Sequence, residues 1–354
     1  MFTAEIIPYR LCFKKPAGTS RGIYREHRIW YVVLRNREDP THSGIGECAP
    51  LPDLSCDYGD RYAETISRFC RHTVERQELD LPLLRPYPSI LFGLESALQH
   101  YRQQSWQLWE TPFSRGEEGI PINGLIWMGN LDDMRQQAEN LLQRGFRCIK
   151  LKIGAIGFER ELELLRDIRI SHPHITLRVD ANGAFTPGEA VEKLQRLAAL
   201  DVHSIEQPIR AGQWEEMARL CFTTPLPIAL DEELIGIHHP DKKRKLLETI
   251  QPQYIILKPS LHGGLSGCRE WITLARELEI GWGVTSALES NIGLNSIAQW
   301  CSTLDNPLPQ GLGTGSLYQN NLPLPLEIRG ERLWYNPSGT FPDKPLQVYE
   351  QHHD

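Results

Sequence analysis

Cys148-Ile149-Lys150-Leu151-Lys152-Ile153-Gly154 is the stretch that decides how the chain is read. Apolar side chains alternate with lysines, so Ile149, Leu151 and Ile153 share one face of a strand and Lys150 and Lys152 share the other. On an ordinary half-buried sheet the lysines would face solvent. In a barrel whose outer surface is covered by helices they would point inward. Two ammonium groups there need carboxylates, a metal or an anionic ligand to compensate them.

Outward from this stretch the sequence repeats. Strand-like runs begin near residues 121, 148, 176, 204, 228, 254, 281 and 308, at intervals of 24 to 28 residues. Amphipathic helical segments lie between them, among them 131–144, 158–171, 187–200, 238–249 and 265–278. Alternation at this period is that of βα units in a TIM-type barrel of about 200 residues. The last strand runs into Pro-rich coil, so its helix is expected to be missing. The expected fold class is therefore α/β, a modified TIM barrel of the (β/α)7β kind over residues 117–316. Residues 1–116 read as an α+β capping domain. It holds alternating runs at 2–13 and 28–35, a polar Gly-containing loop at 14–22, a short strand at 44–50, and helices near 60–75 and 89–103. Residues 317–354 are expected to return to that domain.

Composition narrows the function. A net charge of −7 with no long basic run speaks against nucleic acid as a partner, and the run Asp241-Lys242-Lys243-Arg244-Lys245 reads as a solvated helix face. No apolar stretch is long enough for membrane insertion, and the first residues do not form a signal peptide. The eight cysteines are scattered without a CxxC pair, which predicts reduced thiols in a cytoplasmic protein rather than disulfides or structural zinc. Oligomer formation is left open.

In a TIM barrel, chemistry is built at the C-terminal ends of the strands. Strand two offers Lys150 and Lys152. Strand three gives Asp180 with Asn182 two residues on, strand four Glu206, strand five Asp231, and strand six Lys258. Any one acid alone reads as a surface residue or helix cap. Together, three consecutive strands present carboxylates at one height, and strands spaced about 5 Å apart let such oxygens converge on a hard cation. Asp231 is preferred over Glu232 and Glu233 because it shares the inward parity. With no His or Cys in the set, Mg2+ is the expected ion, Mn2+ an acceptable substitute, and zinc disfavoured. Lys150, Lys152 and Lys258 carry +3 against −3 for the acids; Mg2+ then leaves about +2, which selects a small-molecule carboxylate substrate. Like charge beside Lys152 favours its neutral amine, as a general base requires. His203 and His262 read as loop or packing residues.

On these residues the chain resembles the enolase superfamily, and its Lys-x-Lys, three acids and sixth-strand lysine are similar to the muconate lactonising enzyme subgroup. Mandelate racemase-like members pair a strand-seven His with a strand-six Asp; here those places hold residues 285–290 and Lys258, which disfavours that branch. Within the subgroup, residues 46–52, 88–97, 122–126, 150–152, 178–183, 205–208, 229–232, 257–260, 286–293 and 311–315 resemble the o-succinylbenzoate synthase family. The resemblance implies a carbon–oxygen lyase. Its reaction would be the Mg2+-dependent syn dehydration of 2-succinyl-6-hydroxy-2,4-cyclohexadiene-1-carboxylate, in menaquinone or phylloquinone biosynthesis. It further implies Lys152 as base and then acid, Lys258 as electrostatic partner on the opposite face, and Lys150 as the residue that orients Lys152. Asp180, Glu206 and Asp231 would hold the metal. Asn182, Ser286, Ser20, Arg21, Gly313 and Thr314 would contact substrate, with the loop at 18–22 and the segment after Pro50 closing over the succinyl arm.

Two other readings compete. An N-succinylamino acid racemase or dipeptide epimerase would use the same two lysines, although dipeptide epimerases carry Asp-x-Asp on the eighth strand, where this chain has Gly311-Leu312-Gly313-Thr314-Gly315. A non-catalytic binding protein on the same scaffold is the alternative of another class. The full set of acids and lysines argues against it.

Overall fold

The computed structural model describes residues 1–19, 22–154 and 156–339. Strands β1 (Phe2–Thr19) and β2 (Gly22–Asn36) form a long antiparallel hairpin, and β3 (Ser43–Cys48) pairs with β2. The polar stretch read as a loop at 14–22 is largely strand: after a register shift between Cys12 and Ala17, Ala17 pairs with Tyr24 and Thr19 with Gly22. Ladder hydrogen bonds are made by main chain, so a polar composition did not prevent them. Helices α1 (Tyr62–Arg76), α2 (Leu81–Leu84) and α3 (Pro88–Gln103) cover this sheet. Helix α3 lies directly on β3, where a Cβ at Gly46 would overlap the Gly93 carbonyl and one at Gly44 the Tyr101 amide. Only glycine permits that approach.

After β4 (Ile120–Pro121) comes the barrel. Seven parallel strands stand side by side in sequence order: β5 (Gly124–Ile126), β6 (Cys148–Lys152), β7 (Thr176–Asp180), β8 (Ser204–Glu206), β9 (Ile228–Leu230), β10 (Tyr254–Leu257) and β11 (Gly281–Val284). The eighth strand is reduced to two residues. Gln310 bridges to Ile122 and Gly311 to Thr285, which closes the ring between the first and seventh strands. Helices α4 (Leu131–Gln143), α5 (Phe158–Ser171), α6 (Pro187–Ala198), α7 (Trp214–Thr223), α8 (Pro240–Ile250), α9 (Gly264–Glu277) and α10 (Asn291–Cys301) follow the seven strands in turn. A 3-10 turn at Thr314–Ser316 stands where an eighth helix would begin. The (β/α)7β reading holds.

The strand alternation has the meaning that the period implied. Ile149, Leu151 and Ile153 are buried beneath the helices with Leu177, Val179 and Ile205, each contributing about 1.5–3 kcal/mol by leaving water. Lys150 and Lys152 are thereby turned into the barrel. The basic run on α8 is solvated at Asp241, Lys242 and Lys245, and Lys243 is the one correction to that reading. Lys243 is buried, and its Nζ donates to Gly267 O and to Glu270 Oε2, both at 2.9 Å. A carboxylate and a carbonyl on α9 supply what water would have supplied.

The C-terminal segment divides. Tyr318, Leu322 and Leu324 pack on the capping sheet, where Tyr318 bridges to Phe13. Strand β12 (Leu326–Arg329) instead pairs with β13 (Arg332–Tyr335), which pairs with β4 and places Leu333 and Tyr335 in the barrel core. They close the N-terminal end of the barrel. Among the described residues, no helix is long and apolar enough to cross a membrane.

Candidate active site

Register fixes which side chains meet. Lys152 stands opposite Asp180, and Asp180 opposite Glu206. Glu206 then stands opposite Ala229, not Asp231, so Asp231 lies two residues farther along. The acids form a staircase rather than a level ring, because closing a barrel staggers the strands. Strands β6 and β10 hold the second and sixth of eight positions and therefore face each other across the barrel. Lys152 and Lys258 approach from opposite walls.

The lysines and carboxylates are interlocked. Lys150 Nζ donates to Glu206 Oε2 at 2.8 Å and lies 3.3 Å from Asp180 Oδ2. Lys152 Nζ donates to Asp180 Oδ2 at 2.9 Å and to Asn182 Oδ1 at 2.8 Å. Lys258 Nζ pairs with Asp231 Oδ2. Burial alone would lower Lys150 and Lys258, yet both are raised, Lys150 by Glu206 and Asp180 and Lys258 by Asp231 and Glu206. Burial would raise Asp180, but Lys152, Lys150 and Lys258 outweigh it and hold this carboxyl well below the usual range. Glu206 goes the other way, to about 7, through burial and the nearby Asp180 carboxylate. Burial likewise raises Asp231.

Asp180, Glu206 and Asp231 are an all-oxygen donor set of the kind that holds a hard divalent cation. Two of their oxygens, Glu206 Oε1 and Asp231 Oδ1, are buried and accept no hydrogen bond. A buried carboxylate oxygen without a donor is costly and calls for a cation. As the side chains stand, each acid is turned to a lysine, and among the described residues no three His, Cys, Asp or Glu gather round one point. The donors and their orphaned oxygens suit Mg2+; the lysine pairs occupy the remaining lone pairs.

Above the charges lies a cavity of about 250 Å³, lined by Lys150, Lys152, Asp180, Asn182 and Lys258. Ser286, Gly313 and Thr314 line it as well, with Ser286 Oγ 2.6 Å from Thr314 Oγ1. Ser20 and Arg21 lie outside the described residues. Leu51 and Leu54, in the segment after Pro50, form part of an apolar rim with Tyr24, Trp127, Leu288 and Leu317. Trp127 escapes the sequence reading; its position directly after the first strand was the available signal. Glu232, less favoured than Asp231 on parity, lines the cavity too and accepts from Asn182 Nδ2 at 3.0 Å. His203 precedes β8, at the end of the barrel away from the cavity, with its ring 5.5 Å from that of Tyr254. His262 is buried, accepts from Lys258 N at 2.9 Å, and sets the turn that carries Lys258.

The family model described as Enolase C-terminal domain-like matches residues 133–339, which places the chain in the enolase superfamily. The chain is 45% identical to the o-succinylbenzoate synthase of Desulfotalea psychrophila, over 91% of this chain and 96% of the relative. It is also similar to the crystal structure of MenC from Desulfotalea psychrophila, with a TM-score of 0.81 at 39% identity, covering 94% of this chain and 99% of that one. A more distant relative is the L-Ala-D/L-Glu epimerase of Bacillus subtilis, 26% identical over 78% of each chain. The chain belongs to the o-succinylbenzoate synthase family, a family of carbon–oxygen lyases within the enolase superfamily.

Proposed function

We propose that this chain dehydrates 2-succinyl-6-hydroxy-2,4-cyclohexadiene-1-carboxylate to o-succinylbenzoate and water, as a step of menaquinone or phylloquinone biosynthesis in the cytoplasm. The observation that carries the reading is the pair Lys152 and Lys258, on facing strands and lining one cavity. Identity to a named synthase over nearly the full length supports the choice of substrate.

Mg2+ held by Asp180, Glu206 and Asp231 would supply Lewis-acid stabilisation of negative charge developing on the substrate carboxylate. The remaining steps belong to the chain. Lys152, as the neutral amine, takes the proton α to the ring carboxylate and gives a proton to the departing hydroxyl on the same face, hence syn elimination. Lys258 places its charge on the opposite face and stabilises the ene-diolate. Lys150, locked to Glu206 and Asp180, stays charged and holds the acids that orient Lys152. Ser286 and Thr314 offer hydroxyls to a substrate carboxylate, while Leu51, Leu54 and Trp127 exclude water from the ring. The free state of all eight cysteines is consistent with a reducing compartment.

The test is to incubate the protein with Mg2+ and the cyclohexadiene carboxylate and follow the ultraviolet absorbance of the aromatic product. Turnover supports the reading, and no acceleration over the uncatalysed rate sinks it. The facing lysines also suit a 1,1-proton transfer, so N-succinylamino acids are the second substrate to assay. Racemisation of these with no dehydration would reassign the activity.

A further inference from the structure

We infer that Glu232 is a positioning residue for the proton transfer, acting through the side-chain amide of Asn182 on Lys152. This inference rests on the proposed role of Lys152 as base. Its starting point is a chain of three side chains from three different segments. Lys152 Nζ donates to Asn182 Oδ1 at 2.8 Å, and Asn182 Nδ2 donates to Glu232 Oε1 at 3.0 Å. Asn182 sits just after β7 in the left-handed region, φ 44°. A non-glycine residue held there is strained unless its surroundings over-determine it. Here its amide donates to Asp180 Oδ1 at 3.1 Å, and the Gly183 amide donates to Gln207 O at 2.6 Å. Glu232, buried on the 3-10 turn Glu232–Leu234 that follows β9, supplies the side-chain anchor.

The consequence concerns how Lys152 Nζ is aimed. Asp180 and Asn182 each accept one N–H, at 2.9 Å and 2.8 Å, and these two bonds fix the nitrogen at the cavity wall. That arrangement needs the oxygen of Asn182 toward Lys152. A primary amide turned over would present its NH2 group to Lys152 and lose that hydrogen bond. The two ends of an amide are nearly the same shape, so packing alone does not choose between them. The Glu232 carboxylate does, because it accepts only and draws the NH2 group to itself. Glu232 thus sets the orientation of an amide that in turn aims the base.

The test compares four variants in the Mg2+-loaded enzyme: Glu232→Ala, Glu232→Gln, Asn182→Asp, and a double variant that combines Asn182→Asp with Glu232→Gln. Glu232→Gln keeps an acceptor and should retain kcat within about threefold. Glu232→Ala should lower kcat about tenfold to a hundredfold with KM little changed, the usual scale for an orienting partner and for a misaligned base. Asn182→Asp faces Glu232 with a second carboxylate and should fall by a similar factor. In the double variant the introduced glutamine can donate to the introduced aspartate, which restores the chain with donor and acceptor exchanged. It should recover about tenfold of the loss. Wild-type kcat in Glu232→Ala, or a double variant no better than Asn182→Asp, would overturn the inference. Calorimetric Mg2+ binding by each variant separates loss of aim from damage at the neighbouring Asp231: weakened binding in parallel with kcat would also overturn it. A wild-type enzyme without turnover would count against the proposed reaction and not against this relay.

Discussion

Two groups of carboxylates held away from water are compensated in different ways. In the barrel, Asp180, Glu206 and Asp231 are met by lysines and still keep oxygens without a donor. Between cap and barrel, Glu47 and Glu95 are met by helix ends. Glu47 on β3 accepts from Ser290 N at 2.8 Å, from Ser290 Oγ at 2.5 Å and from Gly293 N at 2.8 Å, at the start of α10. Glu95 on α3 accepts from Leu265 N at 2.6 Å and Ser266 N at 3.1 Å, at the start of α9. First-turn amides have no intrahelical partner, and the helix dipole favours an anion there. The second group therefore has neutral donors directed at its oxygens and joins two structural units. The first has flexible-stemmed cations and orphaned lone pairs. Burial by itself does not mark a functional acid, and neither does one oxygen without a donor, which Asp57 of the cap also has; the meeting of several acids and lysines beside one cavity is what sets the barrel group apart.

The largest effect that would sharpen this contrast is expected at Lys152. Lys152→Ala should lower kcat roughly a thousandfold or more, the upper range for a lost general base. Mg2+ binding by calorimetry should persist, and substantial residual turnover would mean that another group is the base. Next comes the cation. EDTA should remove activity and added Mg2+ restore it, because no hydrogen-bond donor answers Glu206 Oε1 and Asp231 Oδ1; chelator-insensitive turnover would dissolve the distinction between the two acid groups.

At the cap interface the effect should be on stability instead. Glu47→Ala strands two buried amides and a hydroxyl and should cost about 3 kcal/mol, read by denaturant unfolding. The same carboxyl predicts a pH dependence. Burial raises Glu47 from 4.5 to about 7, with Glu289 adding to the shift. A raised folded value means that the neutral form stabilises: the contribution is fully present below the unfolded value and is lost as pH rises through about 7. Its ceiling is roughly 3 kcal/mol, at about 1.4 kcal/mol per pH unit. Glu47→Gln should flatten Tm against pH over that window, while Glu95, raised to about 7 in the same way, keeps part of the slope. An unchanged slope would show that Glu47 is ionised throughout. The smallest effect is expected at the surface, where Arg135 bridges Glu163 and Asp167 with its side chain 38% exposed. Arg135→Ala should leave Tm and kcat within experimental scatter, as exposed pairs usually do; a large loss would show that charge pairing matters to this fold wherever it occurs.

Much of the barrel was legible because it is periodic. Strand starts at 148, 176, 204, 228, 254 and 281 coincide with the observed β6 to β11. The first strand begins at Gly124 rather than 121, since Pro121 is claimed by the hairpin that closes the barrel floor. Lys243 and the polar arms of the β1–β2 hairpin misled for one reason. Their residue types signal solvent, and only distant partners (Glu270 for the lysine, the facing strand for the hairpin) change that signal. The role of Glu232 was hidden because parity along one strand cannot reveal an asparagine at the end of another.

What the sequence determined by itself is which charged groups meet inside the barrel. Alternation along β6, and one acid or lysine at each following strand end, are local patterns that survive any detail of packing. Tertiary structure decided how those groups share their charge. Barrel stagger set Asp231 farther along than Asp180 and Glu206, the capping domain supplied part of the apolar rim, and β9 brought Glu232 to Asn182. Hydrogen bonds and ion pairs act over about 3–4 Å between atoms, whereas the residues whose side chains make them across the site are 27 to 56 positions apart in the chain. Chain closure, not local pattern, chooses such partners.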